Sequence, residues 1–158
     1  MARKKTAREK IDTDHASHGK AFQIPEHLQK DGGPRTMVVP HPRDVERLMK
    51  TPRKGRLITL GQIRAKLAKA AKADLCCPLT TGIFARLAAE AADEEAAAGA
   101  KRITPYWRTI RDNGDLVDKF PGGVDAQARR LRAEGFRIST KRKTPRVEDF
   151  ARKSASGR

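Results

Sequence analysis

Hydrophobic residues occur in short runs along the chain, and each run predicts a small element of its own. The first run is TMVVP, from Thr36 to Pro40, whose β-branched residues predict a strand or an extended segment. Pro42 suits the first turn of a helix, and Val45 and Met49 lie one helical turn apart behind it. The sequence TPRKG, which holds a proline and a glycine, ends this helix.

A second helix is predicted behind the sequence Thr59-Leu60-Gly61-Gln62. A threonine at the N-cap with a glutamine three residues later forms a capping box, in which each side chain binds the other residue's backbone N–H. Ile63 and Leu67 then lie four residues apart, while basic residues occupy the other faces. RLIT, which leads into the box, predicts a short extended segment.

A third helix follows a break at Asp74–Pro78, and either Thr80 or Thr81 is predicted to cap it. The helix is rich in alanine and glutamate, and we expect it to run to about Ala98, with Gly99 as its terminator. Its apolar stripe consists of Ile83, Phe84, Leu87, Ala88 and Ala91. Two helices joined by a short break are typical of a helix-turn-helix whose second helix reads DNA, but a plain helical hairpin fits the same periodicity.

The pattern changes after Ile103. The apolar runs YWRTI and DLV flank RDNG, and Asn-Gly between two such runs predicts a β-hairpin. Val124, Ala128 and Leu131 predict a last helix with Gly135 as its stop, and FRIST predicts one more strand. A hairpin after a helix-turn-helix makes a winged helix, so the predicted fold class is mostly α with a small β wing.

Three parts of the chain are predicted. Residues 1–35 are polar and mixed in charge, and we expect a disordered or loosely docked basic arm. Residues 36–140 contain the predicted helices and form the winged-helix domain. Residues 141–158 hold seven basic and two acidic residues and are interpreted as a basic C-terminal tail.

Charge points to the partner. The chain carries 35 Lys and Arg against 19 Asp and Glu, a net charge of +16. Such an excess favours a polyanion, with double-stranded DNA as the first expectation and mere solubility as the alternative. No apolar run has the length of a membrane span or of a signal peptide, so we expect a soluble, cytoplasmic protein associated with the nucleoid.

No metal or other cofactor is expected. Cys76 and Cys77 are adjacent, which makes a structural disulfide strained and lacks the Cys-x-x-Cys spacing of zinc sites. The four histidines lie in the first quarter of the chain and form no recognised ligand pattern. They are His15, His18, His27 and His41.

From roughly Val38 to Ile138 the chain resembles the C-terminal, DNA-binding domain of the alkylguanine-DNA alkyltransferases and the alkyltransferase-like proteins. PLTTGIFARLAAEAA matches the recognition helix. ITPYWRTIRDNGDLVDKFPGGVDAQARRLRAEGF matches the active-site segment, where the family typically reads Pro-Cys-His-Arg-Val, a glycine-containing turn, Gly-Gly and a helix ending in Glu-Gly. The positions in register are Arg108, Gly114, Gly122, Gly123, Glu134 and Gly135.

The resemblance implies a lost activity. In the alkyltransferases a cysteine attacks the alkyl carbon of a flipped guanine, a histidine relays its proton and a glutamate orients the histidine. Here Tyr106 stands at the cysteine position and Trp107 at the histidine position, so only Glu134 remains of that relay. A phenol with a pKa of about 10 is a weak nucleophile, and tryptophan has no basic nitrogen. The resemblance therefore implies no alkyl transfer by the family's mechanism.

Alkyltransferase-like proteins also lack the acceptor cysteine. They bind alkylated guanine in the empty pocket and pass the lesion to excision repair, so excision-repair proteins are further expected partners. Tyr106 would line, stack in or plug that pocket. Two family features are missing, since Leu60 stands where a tyrosine pushes on the flipped nucleotide, and Pro78 and Leu79 stand near the position of the arginine that replaces the flipped base.

The resemblance also implies the site residues. The vestigial pocket is expected to comprise Tyr106, Trp107, Arg108 and Glu134, with Pro105, Gly122 and Gly123 in its turns. On the recognition helix the residues expected to face DNA are Thr80, Thr81 and Arg86, although capping and a solvated face explain them equally well. The candidate phosphate contacts are Lys54, Arg56 and Arg64.

Two further functions stay open at this stage. The chain is a divergent methylated-DNA alkyltransferase if Cys76 or Cys77, near the start of a helix, takes over as acceptor. It is a DNA-binding regulator with a closed pocket if the Tyr106 and Trp107 rings fill that pocket.

Overall fold

The computed structural model describes residues 2–154. Met1 of the predicted arm and residues 155–158 of the predicted tail lie outside the described residues. The helices are α1 (Ala7–Ile11), α2 (Pro42–Met49), α3 (Leu60–Ala70), α4 (Pro78–Ala97), α5 (Gly123–Ala133) and α6 (Phe150–Lys153). The strands are β1 (Ala21–Gln23), β2 (Thr36–Val38), β3 (Ile58–Thr59), β4 (Leu75–Cys76), β5 (Thr109–Ile110), β6 (Ile138–Ser139) and β7 (Arg146–Val147), and 3-10 turns cover Glu26–Leu28 and Tyr106–Arg108.

The strands form three small sheets. In the first, β2 lies between β1, which is antiparallel to it, and β4, which is parallel to it. In the second, β3 and β5 run parallel, with Ile58 opposite Thr109. In the third, β6 and β7 are antiparallel. The predicted combination of helices with little sheet is therefore confirmed in its coarse form.

The local signals at the helix ends are confirmed. The Gln62 backbone N–H donates to the Thr59 hydroxyl at 3.1 Å, and the Thr59 N–H donates to the Gln62 side-chain oxygen at 2.9 Å, so the capping box forms. Pro42 lies in the first turn of α2. Gly99 and Gly135 have φ values of +98° and +94°, which suit glycine beyond a helix end.

The start of α4 differs from the prediction. The helix begins at Pro78, with Cys77 at the N-cap, so neither Thr80 nor Thr81 caps it. Proline fixes a helical φ and needs no hydrogen-bond acceptor in a first turn, which lets the helix start earlier. The Thr81 hydroxyl instead donates back to the Cys77 carbonyl at 2.8 Å.

The predicted hairpin wing is not formed. Asn113 and Gly114 do make a turn, in which the Gly114 N–H donates to the Arg111 carbonyl at 2.9 Å. The chain before the turn, however, pairs as β5 with β3, and Asp115 after the turn bridges to Arg146. The Arg111 N–H still donates to the Asp115 carbonyl at 2.9 Å, but beyond this pair the two arms bond to more distant segments, and a winged helix is not confirmed.

The core has two clusters on opposite faces of the β3–β5 sheet. Successive strand residues point to opposite faces, so Ile58 joins one cluster and its neighbour Leu57 the other. The larger cluster lies among α2, α3 and α4 and includes Ile63 and Tyr106. The smaller cluster lies under α5 and includes Leu131. This layering places α3 and α4 on one side of the sheet and α5 on the other.

The predicted arm is partly packed onto the domain. Ala7 and Ile11 of α1 are buried in a cluster with Ala91 of α4. The Arg8 guanidinium donates to the carboxylate of Glu46 at 2.7 and 2.9 Å and to that of Glu95 at 2.8 and 3.0 Å. Apolar burial and a charged network therefore hold part of residues 1–35 on the domain. Composition alone does not predict this packing, because the partner residues lie in α2 and α4.

The predicted tail is also packed, as far as residue 154. Val147 is fully buried, and the Leu57 N–H donates to the Lys153 carbonyl at 3.1 Å. Phe150 packs beside Gly114, where a side chain in place of the glycine hydrogen would lie 2.4 Å from the ring. The division of the chain into three parts as such stays a prediction.

Candidate nucleic-acid interface and the Tyr106 pocket

Tyr106 lies in the core and not on the surface. The 3-10 turn Tyr106–Arg108 turns the phenol ring inward, and its exposed fraction is 4%. The ring packs edge to face against Trp107 and Phe120, with centroids 5.5 Å and 5.7 Å away. The position that corresponds to the family's acceptor cysteine is therefore filled by packed aromatic rings.

The Tyr106 hydroxyl reaches α4, where it donates to the Asp93 carboxylate at 3.5 Å. Burial raises the pKa of Tyr106, and the negative charge of Asp93 raises it further. The side chain is thus a neutral phenol at physiological pH. It can donate a hydrogen bond and fill space, but it cannot act as a nucleophile.

Both carboxylate oxygens of Glu134 accept hydrogen bonds from neighbouring side chains. The Trp107 indole N–H donates to it at 2.6 Å, and the Arg108 guanidinium donates at 2.9 and 3.0 Å. Burial raises the pKa of Glu134, but the hydrogen bonds from Arg108 and Trp107 outweigh that effect and leave the pKa lowered. Arg108 also donates to the Pro52 carbonyl at 2.9 Å. These contacts tie structural elements together and occupy the Glu134 carboxylate, so Glu134 is not free to act as a base towards Tyr106.

The glycine pair has a backbone role. Gly122, the N-cap of α5, and Gly123 have φ values of +78° and +69°, a region that favours glycine. A side chain at Gly122 would also meet the Ala126 side chain at 2.5 Å. Pro105 precedes the other turn of the pocket, as the N-cap of the Tyr106–Arg108 turn.

One residue of the pocket, Gln127, is absent from the sequence-based expectations. Its side chain is fully buried, accepts the Val117 N–H at 2.7 Å and donates to the carbonyls of Trp107 and Thr109 at 3.1 and 2.8 Å. The feature of the sequence that could have predicted this role is a polar residue beside Ala128, on the apolar face of the last helix. Gln127 holds the strand that follows Tyr106 against the chain that leads to the glycine pair.

An open groove of about 540 Å³ lies between α4 and the turn Lys119–Pro121. Tyr106 borders it from below, since its ring packs on Phe120 and its hydroxyl binds Asp93. The lining residues are Arg86, Glu90, Asp93, Glu94, Ala97, Lys119, Phe120 and Pro121. Three carboxylates face two cations, and one of these cations, Arg86, donates to Glu90 at 2.9 Å. The groove is therefore acidic within a strongly basic protein.

The predicted recognition residues of α4 separate in the structure. Thr81 is fully buried, so it has no surface with which to contact DNA, while Thr80 is half-buried and Arg86 is exposed. The side chains that do project from the first turns of α4 are apolar, namely Leu79 at 72% exposure and Ile83 at 48%. Periodicity alone could not decide which residues of α4 face outward, because it did not show that the helix begins at Pro78.

The predicted phosphate contacts also differ from one another. Lys54 is exposed and Arg56 is half-buried. Arg64 donates to Asp112 at 2.9 Å, and the same carboxylate accepts the Gly61 N–H at 2.6 Å.

These residues belong to a longer basic stretch. Residues 47–73 contain nine Lys and Arg and no acidic residue. Four exposed lysines of this stretch had not been predicted as contacts, namely Lys50, Lys66, Lys69 and Lys72. The last three of these lysines give α3 and the residues that follow it a concentrated positive charge.

Neither cysteine lies in the pocket. Cys76 is buried, and burial raises the pKa of its thiol. Cys77 is half-buried at the N-cap of α4, where burial raises its pKa but hydrogen bonds from Thr80 and the Leu79 backbone outweigh that and lower it. Cys77 is therefore the more reactive thiol of the two.

Three histidines come together although their spacing along the chain matches no ligand pattern. His18 has ring centroids 4.8 Å from His15 and 5.3 Å from His41. Within residues 2–154, no group of three or more His, Cys, Asp or Glu side chains has an arrangement that could hold a metal ion. None of the helices in that range combines the length and the apolar character needed to cross a membrane.

The fold has a solved counterpart. It is similar to the crystal structure of S. pombe Atl1, an alkyltransferase-like protein, in complex with damaged DNA containing O6-carboxymethylguanine. The TM-score is 0.51 at 15% sequence identity, over 73% of this chain and 94% of the Atl1 chain. No protein-family model matches the chain, and no curated protein matches it. The predicted fold family is thereby supported at the level of the fold.

Proposed function

We propose that this chain is a DNA-binding protein of the alkyltransferase-like type, which recognises alkylated guanine and transfers no alkyl group. The observation that carries the proposal is the buried, neutral Tyr106 at the acceptor position of the resembling family, in a fold similar to that of a protein solved on damaged DNA. Excision-repair proteins are proposed as the partners that receive the lesion.

The charge distribution supports DNA as the ligand. The basic stretch of residues 47–73 includes exposed lysines on α3, and lysines that neutralise phosphates supply most of the non-specific affinity for DNA. Thr80, Arg86, Lys54 and Arg56 are proposed to contribute contacts beside them. Arg64 contributes after exchanging Asp112 for a phosphate.

The acidic groove supports base recognition rather than backbone binding. Carboxylates repel phosphates but accept hydrogen bonds from base amino groups. The groove volume of about 540 Å³ falls in the range of ligand pockets, roughly 300–1,000 Å³. We propose that an extruded base lies in the groove and that Asp93 accepts from its amino group, while Tyr106 closes the groove from below.

Binding to two duplexes tests the proposal. The duplexes are identical except for one O6-carboxymethylguanine, and fluorescence anisotropy is recorded over a salt series. We expect salt-dependent binding to both duplexes and tighter binding to the alkylated one. Equal binding would reject lesion recognition and leave the regulator with a closed pocket. The absence of binding to either duplex at low salt would reject the whole proposal.

Two variants with the same change in charge localise the recognition. Asp93→Asn removes a groove carboxylate, whereas Asp118→Asn removes an exposed carboxylate that is not part of the groove lining. Both should strengthen binding to plain DNA slightly, but only Asp93→Asn should reduce the preference for the alkylated duplex. An unchanged preference in Asp93→Asn would show that the base is not bound in this groove.

Mass spectrometry separates this proposal from a divergent alkyltransferase. After incubation with the alkylated duplex, we expect the protein mass to stay unchanged, because Cys76 is buried and Cys77 lies outside the groove lining. A gain of one carboxymethyl group would overturn the non-catalytic assignment, and peptide mapping would identify the acceptor.

A further inference from the structure

A second basic stretch lies in residues 126–147. It holds eight Lys and Arg and a single acidic residue, Glu134. The Glu134 carboxylate does not offset this charge at the surface, because it accepts hydrogen bonds from Trp107 and Arg108 below α5. The stretch therefore presents nearly all of its positive charge outward.

Most of these cations have no acidic partner. Within residues 2–154, the cations of this stretch that form salt bridges are Arg142 and Arg146, which lie 4.0 and 3.4 Å from Asp115. The acidic Glu134 pairs with Arg108, which lies outside the stretch. The exposed side chains of the stretch that form no ion pair there are Arg129, Arg130, Arg132, Arg137, Lys141 and Lys143. Unpaired exposed cations at this density are typical of a polyanion-binding surface.

The surface also contains a shaped site. A cavity of about 280 Å³ is lined by Trp107, Arg129, Arg130, Ala133 and Glu134. The Arg130 guanidinium carbon lies 4.3 Å from the centroid of the Trp107 ring, so the aromatic face orients this arginine. The Glu134 carboxylate that also lines the cavity is paired with Arg108 at 2.9 Å, so its charge is offset locally. The two guanidinium groups of Arg129 and Arg130 therefore suit a phosphate, which arginine binds through paired hydrogen bonds.

The exposed lysines of α3 and the arginines of α5 lie on opposite faces of the β3–β5 sheet, whereas residues 52–57 of the first stretch reach the α5 side, where the Pro52 carbonyl accepts from Arg108. α3 and α4 pack on the larger cluster and α5 on the smaller one, and the β3–β5 sheet separates these clusters. The carboxylates of Glu90, Asp93 and Glu94 add negative charge along α4. A straight duplex lying on α3 therefore does not extend onto α5.

We propose that α5 and the β6–β7 segment form a second DNA-binding surface, so that one molecule bridges two duplex segments. This inference rests on the proposed function for the first duplex, which binds on the α3 side. The phosphate backbone of the second duplex lies along α5, with one phosphate in the cavity beside Trp107. We expect recognition of this duplex to be independent of its sequence, since the cations of the surface contact phosphates.

A capture experiment tests the bridge. One biotinylated plain duplex is immobilised on beads, the protein is added, and a second fluorescent duplex of unrelated sequence is then captured. The α5-side variant carries Arg129→Glu, Arg132→Glu and Lys141→Glu, and the matched α3-side variant carries Lys66→Glu, Lys69→Glu and Lys72→Glu. Circular dichroism and gel filtration verify that both variants are folded and report the oligomeric state.

The wild-type protein should capture the second duplex, and the α5-side variant should capture roughly tenfold less while it still binds the immobilised duplex. Three results would overturn the bridge. The first is that the wild type binds the first duplex without capturing the second. The second is undiminished capture by the α5-side variant, which would indicate bridging by protein dimers. The third is loss of first-duplex binding in the α5-side variant alone, which would make α5 the primary surface. Failure of the proposed function differs from all three, because the wild type would then not bind even the immobilised duplex.

Discussion

The Tyr106 pocket (Tyr106, Trp107, Arg108 and Glu134) and the α3 surface (Lys66, Lys69 and Lys72) differ in how their polar groups are paired. In the pocket the groups are bound to one another, as Glu134 accepts from Trp107 and Arg108 and Tyr106 donates to Asp93. On the α3 surface the lysines of α3 and of the residues just after it are exposed to solvent, and residues 47–73 contain no acidic residue. The region that carries chemistry in the resembling family is internally satisfied here, and the region that would meet DNA is not. The proposed function, DNA binding without alkyl transfer, predicts this contrast.

The largest effect is expected from breaking the pocket at its carboxylate. Glu134→Ala leaves the mostly buried Arg108 guanidinium without its partner and the Trp107 N–H without its acceptor. Removing one partner of a buried ion pair costs roughly 3 kcal/mol of unfolding free energy. Urea unfolding monitored by the single tryptophan measures this loss.

The matched control for that variant is Glu148→Gln, which changes an exposed side chain. It should alter the unfolding free energy by less than about 0.5 kcal/mol. A loss below about 1 kcal/mol in Glu134→Ala would contradict a pocket held together by this carboxylate.

The next effect concerns the α3 surface. Replacing Lys66, Lys69 and Lys72 together by alanine should leave stability unchanged, because the side chains are exposed. It should reduce the slope of log affinity for DNA against log salt by about 0.9 for each lysine that contacts a phosphate. Anisotropy titrations at several salt concentrations give the slope.

A triple variant of exposed lysines near the N-terminus, at Lys10, Lys20 and Lys30, has the same change in net charge. The slope for this control should stay at the wild-type value. Equal slopes in the two triple variants would remove the distinction between the α3 surface and the rest of the basic protein.

A smaller effect is expected in the titration of Tyr106, which can be followed specifically because it is the only tyrosine of the sequence. Burial and the charge of Asp93 raise its pKa in the folded state above the unfolded value of about 10. The stability that the neutral phenol provides is thus complete below about pH 10 and is lost as the pH rises through the folded pKa. Absorbance of the tyrosinate follows both states, with the unfolded chain measured in guanidinium chloride.

Asp93→Asn should move this titration back towards the ordinary pKa, since it removes one of the two causes. Identical titration curves for folded and unfolded protein would show that the phenol is solvated and the pocket open. Tyr106→Phe serves better than Tyr106→Ala in binding assays, because removing the buried ring costs roughly 3–5 kcal/mol.

The smallest effect is the difference between the two thiols. Cys77 should react with iodoacetamide in the folded protein while Cys76 does not, since burial protects Cys76 and raises its pKa. Thr80→Val should slow the reaction of Cys77, because it removes a hydrogen bond that lowers the thiol pKa. Peptide mapping by mass spectrometry assigns the labelled residue, and preferential labelling of Cys76 would contradict the structure.

The helices were predictable because their signals are local. Thr59 and Gln62 specify a helix start within four residues, and Pro42 and Gly99 mark ends without reference to the rest of the fold. The resemblance added the register of the active-site segment, and from it the positions of Tyr106 and Glu134.

The parts that could not be predicted depend on distant partners. Asn113 and Gly114 do form a turn, but the strand before the turn, β5, pairs with β3 and not with the segment after the turn. Thr81 is buried because α4 starts at Pro78, one turn earlier than a threonine cap would allow. The burial of Ala7 depends on α4, more than eighty residues away, so composition alone indicated a loose arm.

The contact of Gln62 with Ser154 has a consequence for how the protein folds. The side-chain amide that belongs to the capping box of α3 donates to a carbonyl 92 residues further along the chain. A chain emerging from the ribosome therefore has α3 available long before the segment that completes its N-terminal environment. Because contacts between distant residues slow folding, we expect the helices to assemble first and the packing of residues 145–154 to be the last step.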